Sequence, residues 1–245
     1  MPGALGGHCR IGSCDTTTSR GPAGHDGSMR PAFGLDAAAT AYLADHSEPA
    51  DEVQRSLIER TAALGRASAM QIGPEQGAFM TVLVGALQPA FAVEIGTFTG
   101  YSSIAIARGL APGGRLLCCD VSEEWTAIAR EHWTAAGVDD RIDLVIAPAS
   151  ETLAALDGDV QVDFAFIDAD KTGYKAYYEA LVPRLSPQGL IAVDNTMWNG
   201  QVLDDSDDSA DTVALREFNA HVAADPRTIT AMTPIGDGVT LIRLR

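Results

Sequence analysis

Basic residues are scarce in this chain: 17 Lys and Arg stand against 33 Asp and Glu, for a net charge of −16. Such a surface repels phosphate backbones and anionic membranes on average, and no Lys/Arg cluster is present to build a local exception, so nucleic acid is a disfavoured partner. Long apolar runs are missing too. The best stretch, Phe79 to Val93, is interrupted by Gln88 and Pro89 and falls short of the ~18 residues that would suggest a membrane-spanning helix. The first 30 residues contain Arg10, Arg20 and Arg30 but no continuous apolar core of a secretory signal. No membrane association and a cytoplasmic location are therefore expected. Only four cysteines occur, with neither a disulfide framework nor a zinc spacing. Cys118 and Cys119 are neighbours in a predicted strand, where successive side chains point to opposite faces and do not pair.

The rest of the composition is that of a folded protein, with 46% hydrophobic and 20% charged residues. The length fits one large domain. Residues 1–33 are rich in Gly, Ser, Thr and Pro and show no periodicity, so they read as a disordered extension in which Met29 is a second candidate start. The domain proper is expected over residues 34–245.

Helical patterns run from Leu35 to about His46 and, after Ser47-Glu48-Pro49, to about Arg66, with Ser47 as the expected N-cap. Gly73-Pro74 opens a third helix whose apolar positions include Phe79, Val82, Leu83 and Leu87. Strand and helix then alternate. Strands are expected at 91–95, 115–120, 141–146, 162–168 and 189–194, separated by helices at 101–109, 122–136, 150–156 and 173–185. Continuous apolar runs such as Leu190-Ile191-Ala192-Val193 suit strands covered on both faces, hence a mainly parallel sheet. A helix at 212–224 leads to two last strands, 228–235 and 239–244. Their connection, Gly236-Asp237-Gly238, is short enough to permit only an antiparallel pair. The expected fold is α/β and Rossmann-like, a seven-stranded sheet with helices on both faces and a C-terminal antiparallel hairpin.

Glu94-Ile95-Gly96-Thr97-Phe98-Thr99-Gly100-Tyr101-Ser102 lies where a strand ends and a helix begins, so backbone amides can approach an anionic ligand there. Taken alone such a loop is also an ordinary tight turn. The next strand ends in Asp120, placed to accept hydrogen bonds from a ribose diol. The loop lacks the G-x-G-x-x-G spacing that hugs a pyrophosphate, which favours an adenosine cofactor without one.

Two strand ends are acidic: Asp168-Ala169-Asp170-Lys171 and Asp194-Asn195. Asp168, Asp194 and Asn195 offer hard oxygen donors at the carboxyl edge of the sheet, a set suited to magnesium, manganese or calcium. Either acid taken singly is as well explained as a cap of its own loop; their joint placement favours the metal. None of the histidines, at 8, 25, 46, 132 and 221, falls in this constellation, which disfavours a histidine-ligated metal or a histidine base. Lys171 reads either as a solvated helix-start residue or, three positions after a metal-binding acid, as a group that can reach a substrate hydroxyl. Trp198 is balanced between a wall of the substrate site and core. The acidic run 204–211 lacks the closing Glu of a calcium loop and reads as a solvated loop ahead of the next helix.

Together, Met70-Gln71-Ile72-Gly73-Pro74-Glu75-Gln76-Gly77, E-I-G-T-F-T-G-Y-S, F-I-D-A-D-K, D-N-T-M-W-N-G and P-I-G-D-G-V-T-L resemble the caffeoyl-CoA and catechol O-methyltransferase family, particularly its small bacterial members, over about Leu35 to Arg245. The resemblance implies S-adenosylmethionine as cofactor, contacted by Glu94, Gly96, Thr97, Ser102, Asp120, Ala149 and Asp170. It implies a divalent cation on Asp168, Asp194 and Asn195, with Asp168 and Lys171 as the catalytic pair. Ile72 departs from the Thr or Ser usual in plant members, so a polar contact is missing there. The implied reaction moves a methyl group to one hydroxyl of a catechol-like aromatic small molecule, and a homodimer is implied as well. Rival expectations are O-methylation of a hydroxylated uridine in tRNA, which the acidic charge opposes, a nicotinamide-dependent oxidoreductase, and a non-catalytic cofactor-binding partner.

Overall fold

Five parallel strands carry the middle of the molecule in the order β3-β2-β1-β4-β5, and an antiparallel pair closes one side as β5-β7-β6. The computed structural model describes residues 34–245; the extension expected over 1–33 lies outside the described residues. The strands are β1 (Phe91–Ile95), β2 (Arg115–Asp120), β3 (Ile142–Ile146), β4 (Val162–Ile167), β5 (Leu185–Val193), β6 (Thr228–Thr233) and β7 (Val239–Leu244). The helices are α1 (Ala37–Asp45), α2 (Glu52–Ala62), α3 (Pro74–Leu87), α4 (Tyr101–Gly109), α5 (Glu123–Ala136), α6 (Ala149–Ala155), α7 (Tyr174–Leu181) and α8 (Ala210–Ala224).

The period-2 alternation of the strands divides the core in two. Ala92, Leu116, Cys118, Phe164 and Phe166 face α2 to α5 through Leu57, Met80, Ile104, Ile128 and Trp133. Val93, Ile95, Cys119, Ala165 and Ile167 face the other way, against Leu153 of α6, Tyr174 and Leu181 of α7 and Phe218 of α8. Cys118 and Cys119 thus point to opposite faces, both as free thiols. The inner parallel strands β2, β1 and β4 are buried on both sides, which explains their largely apolar runs, whereas the edge strand β3 is mostly half-buried or exposed.

Three local expectations are corrected. α2 does not begin behind Ser47: its N-cap is Asp51, whose carboxylate accepts from Gln54 N while the Gln54 side chain accepts from Asp51 N. This reciprocal capping box satisfies two end amides, whereas Ser47 Oγ turns back to Leu43 O. The helix also stops at Ala62, and residues Gly65–Met70 form 3-10 turns. On α3 the buried stripe is Gln76, Gly77, Met80 and Val84, and Val82 is exposed. Finally, β5 begins at Leu185, with a register shift opposite Val162 and Phe164 that accommodates Pro187 and Gly189.

Candidate functional site

In the register of the sheet, Ile95 pairs with Ile167 and Ile167 pairs with Val193. The next residues along these strands, Gly96, Asp168 and Asp194, therefore stand side by side at the carboxyl edge, with neighbouring strands ~4.8 Å apart. Backbone bonds continue the ladder one step past the strands, from Asp168 N to Ile95 O at 2.8 Å and from Asp194 N to Ile167 O at 2.9 Å. The strand order reverses between β1 and β4, and ligands of open α/β sheets bind at such a switch point. Gly96 is required here: its φ is +90°, and a Cβ on it would lie 2.1 Å from Asp168 O.

Asp168 accepts from Lys171 Nζ at 3.1 Å, and Asp194, 2% exposed, accepts from Asn195 N at 2.7 Å. Burial, then the neighbouring Asp168 carboxylate, push the Asp194 carboxyl well above the usual carboxylate range, against the opposing pull of Gln76, Asn195 N and Lys171. Asn195 turns the chain out of the sheet with a φ of +56°. The Asp168 and Asp194 carboxylates are thus near enough for one charge to act on the other, and such a pair calls for positive charge. Lys171 supplies one such charge. Its ammonium is 7% exposed and has three acceptors: Asp168 Oδ1, Ala169 O at 3.0 Å and the Tyr174 hydroxyl at 2.6 Å. Trp198 borders it, with Nζ 5.5 Å from the ring centroid.

The residues expected to hold a cofactor line the same edge. Glu94 is fully buried on β1, and its Oε2 accepts from Ser103 Oγ at 2.5 Å and Cys118 Sγ at 3.2 Å, while Oε1 has no partner. Burial pushes its carboxyl up to about 7, against the opposing hydrogen bonds from Ser103 and Cys118. Thr97 Oγ1 is likewise buried and unpartnered. Ser102 is buried in the first turn of α4, and Ala149 is the first residue of α6. Asp170 accepts from Tyr177 Oη at 2.6 Å.

Asp120 does more than the sequence reading foresaw. Its Oδ2 accepts from Thr97 N at 2.9 Å and Phe98 N at 2.8 Å, and its Oδ1 accepts from Ser122 N at 2.8 Å. Phe98 sits at a φ of +50°, so the carboxylate at the end of β2 shapes the loop after β1. Three of its roughly four acceptor positions are occupied, which leaves one for a ligand.

Over residues 44–245 the chain matches the family model described as O-methyltransferase. It belongs to the O-methyltransferase family. "Probable caffeoyl-CoA O-methyltransferase 2" of Dictyostelium discoideum is 40% identical over 205 residues, covering 82% of this chain and 89% of that protein. "Caffeoyl-CoA O-methyltransferase 1" of Eucalyptus globulus is 36% identical over 183 residues, covering 71% and 74%. Among solved structures, the Bacillus cereus O-methyltransferase in complex with SAH superposes with a TM-score of 0.77 at 31% identity, over 85% of this chain and 97% of that one. The mixed seven-stranded sheet described above is thus the fold of this O-methyltransferase family.

Sequence reading missed Gln76, Tyr174, Tyr177 and Asp237 at this edge of the methyltransferase. Gln76 and Asp237 lie inside motifs quoted above for the resemblance, and Tyr174 and Tyr177 stand three residues apart at the start of α7, just after Lys171. Elsewhere, Glu179, His221 and Asp225 bring three possible metal-ligand atoms within 4.8 Å of one another. Arg227 already donates to both carboxylates there, so the cluster is an ion-pair network with its cation built in. An open groove between α2 and α5 is lined by Glu52, Ser56, Arg60, Glu131 and His132 and contains none of the strand-edge residues. The acidic loop 204–211 closes on itself through Asp204–Ser206 and Asp207–Ser209 bonds, and Arg216 of α8 donates to the carbonyls of Val202 and Asp207. No helix among the described residues is long and apolar enough to cross a membrane.

Proposed function

We propose that this chain transfers a methyl group from S-adenosylmethionine to one hydroxyl of an aromatic vicinal diol, with a divalent cation at Asp168, Asp194 and Asn195. The observation that carries the reading is that Asp168 and Asp194 stand one residue past the register pair Ile167–Val193, Asp194 buried and Asp168 half-buried, with Lys171 in contact with Asp168. The donor set fits the ion: oxygen donors only, and an Asp194 carboxyl that burial and Asp168 hold out of its usual range until more positive charge arrives. Magnesium, manganese and calcium share this preference.

The cofactor edge fits as well. Glu94 Oε1 and Thr97 Oγ1 are buried without partners, and the amino and hydroxyl groups of S-adenosylmethionine supply what they lack. Glu94, Gly96, Thr97, Ser102, Asp120, Ala149 and Asp170 would hold it, and its sulfonium supplies the methyl group. The Bacillus cereus relative carries SAH, the product of that transfer.

A catechol hydroxyl titrates near the tyrosine value of about 10 and is mostly neutral at pH 7. A divalent cation beside it would lower that value and fix its orientation. Lys171 Nζ, bonded to Asp168 Oδ1, Ala169 O and the Tyr174 hydroxyl, would accept or relay the proton. The acceptor is a small molecule; the net charge of −16 opposes tRNA.

The test is methyl transfer from labelled S-adenosylmethionine to catechol, caffeoyl-CoA and a flavonoid diol, with magnesium and after exhaustive EDTA treatment. Transfer that stops with EDTA and returns with magnesium is expected. Full activity after chelation removes the metal role, and binding of NAD without binding of S-adenosylmethionine removes the reading altogether.

A further inference from the structure

Past Asp194 the chain does something that unaided residues avoid. Trp198, Asn199 and Gly200 follow one another with φ values of +48°, +51° and +80°. Left-handed backbone is disfavoured for an L residue and uncommon for a bulky one. It persists where the surroundings over-determine it, and such places cluster at functional sites.

The surroundings here are the turn between β6 and β7. Thr196 N donates to Gly238 O at 3.0 Å and Met197 N to Asp237 O at 3.0 Å. Thr196 Oγ1 donates to the same Gly238 carbonyl and accepts from Thr240 Oγ1, each at 3.0 Å. A Cβ at Gly238 would lie 2.5 Å from Met197 Cγ, so the turn is seated directly on this loop. These contacts all stop at Met197. The Asp237 side chain reaches further, its Oδ1 accepting from Asn199 N at 2.6 Å, inside the left-handed segment. The residue this segment presents is Trp198, half-buried, its ring 5.5 Å from Lys171 Nζ. An indole face beside the proton-accepting amine is a suitable wall for stacking an aromatic ring.

We propose that Asp237 is a positioning residue for acceptor specificity: through Asn199 it holds Trp198 against Lys171 and so shapes the aromatic side of the acceptor site. The inference rests on the methyl-transfer reading above. A side chain that only stabilised the fold would affect melting without separating acceptor from cofactor kinetics.

The experiment uses the full chain, wild type and with Asp237→Ala and Asp237→Asn, the latter keeping a carbonyl oxygen for the Asn199 amide. Hydrogen exchange is followed in residues 195–203, and KM is measured for caffeoyl-CoA, catechol and S-adenosylmethionine with magnesium present. In Asp237→Ala, exchange in this segment accelerates and acceptor KM rises about tenfold, as for the loss of one hydrogen bond. KM for S-adenosylmethionine is unchanged. Asp237→Asn restores both. If the alanine variant does not fold, Asp237→Ser, too short to reach Asn199, serves the same comparison. Unchanged exchange, a loosened segment with unchanged acceptor KM, or an asparagine variant as impaired as the alanine one overturns the proposal. A wild-type protein that methylates neither acceptor defeats the functional reading instead, and the exchange data still decide whether Asp237 holds the loop.

Discussion

The Lys171 ammonium donates to the Tyr174 hydroxyl at 2.6 Å, and that hydroxyl donates in turn to the Asp194 backbone carbonyl at 3.1 Å. One buried phenol thereby ties the loop after β4 to the tip of β5. The tie joins the proposed proton acceptor to the strand end that carries Asp194 and Asn195.

Tyr174→Phe keeps the ring that packs edge-on against Phe218 but removes both bonds. The Asp194 carbonyl is left short of a donor, at a cost of about 1–3 kcal/mol. The expected outcome is a lower urea midpoint together with a kcat reduced by at least tenfold, roughly what misplacing a general base costs. Initial rates equal to wild type in the folded variant would show that the tie is structural only.

Asp120→Ala should weaken S-adenosylmethionine binding by more than the loss of one ligand contact implies, because Thr97 N, Phe98 N and Ser122 N lose their acceptor as well. Manganese affinity, which the proposed function places at the other strand ends, should stay the same. Calorimetric titration of each ligand measures the two separately, and equal losses for both would contradict the assignment.

Glu94 yields a pH dependence. Burial raises its folded-state carboxyl to about 7, above the unfolded value of about 4.5, so the folded ligand-free protein binds the extra proton. The contribution of this group to stability is fully present below pH 4.5 and is lost as pH rises through 7. Glu94→Gln, which has no charge to bury, should gain in melting temperature relative to wild type across that window and lose cofactor affinity. Parallel melting curves from pH 5 to 8 check it; a constant difference refutes the shift.

Asp225 has the opposite sign. The Arg227 guanidinium foremost, with Arg227 N and the Tyr178 hydroxyl, holds its carboxyl well below the usual carboxylate range. Its stabilising contribution is present above the unfolded value near 4 and is lost as pH falls further. Asp225→Asn should be less stable than wild type at pH 7, with the gap narrowing on acidification below pH 4. Urea unfolding at several pH values measures the gap.

How much of this could be read in advance depended on the distance over which each signal acts. β2, β4 and the second half of β5 announce themselves because a strand buried on both faces is largely apolar, and the acids at 120, 168 and 194 stand where those runs stop. The start of α2 was misplaced because Ser47 and Asp51 are both credible caps, and only the reciprocal bond to Gln54 decides between them. The early start of β5 was hidden by Pro187 and Gly189, which read as a break until a bulge opposite β4 absorbs them. Tyr174, Gln76 and Asp237 showed no role because their partners lie far along the chain: Asp237 reaches Asn199 across 38 positions. No local pattern encodes such a contact.

The placement of the β6–β7 turn also imposes an order on assembly. The strand ends that would hold cofactor and cation belong to β1 through β5, whereas the loop bearing Trp198 rests on a turn that is synthesised after all of them. A chain still lacking its C-terminal strand would have its methyl-donor half in place while the segment bearing its indole had nothing to lean on.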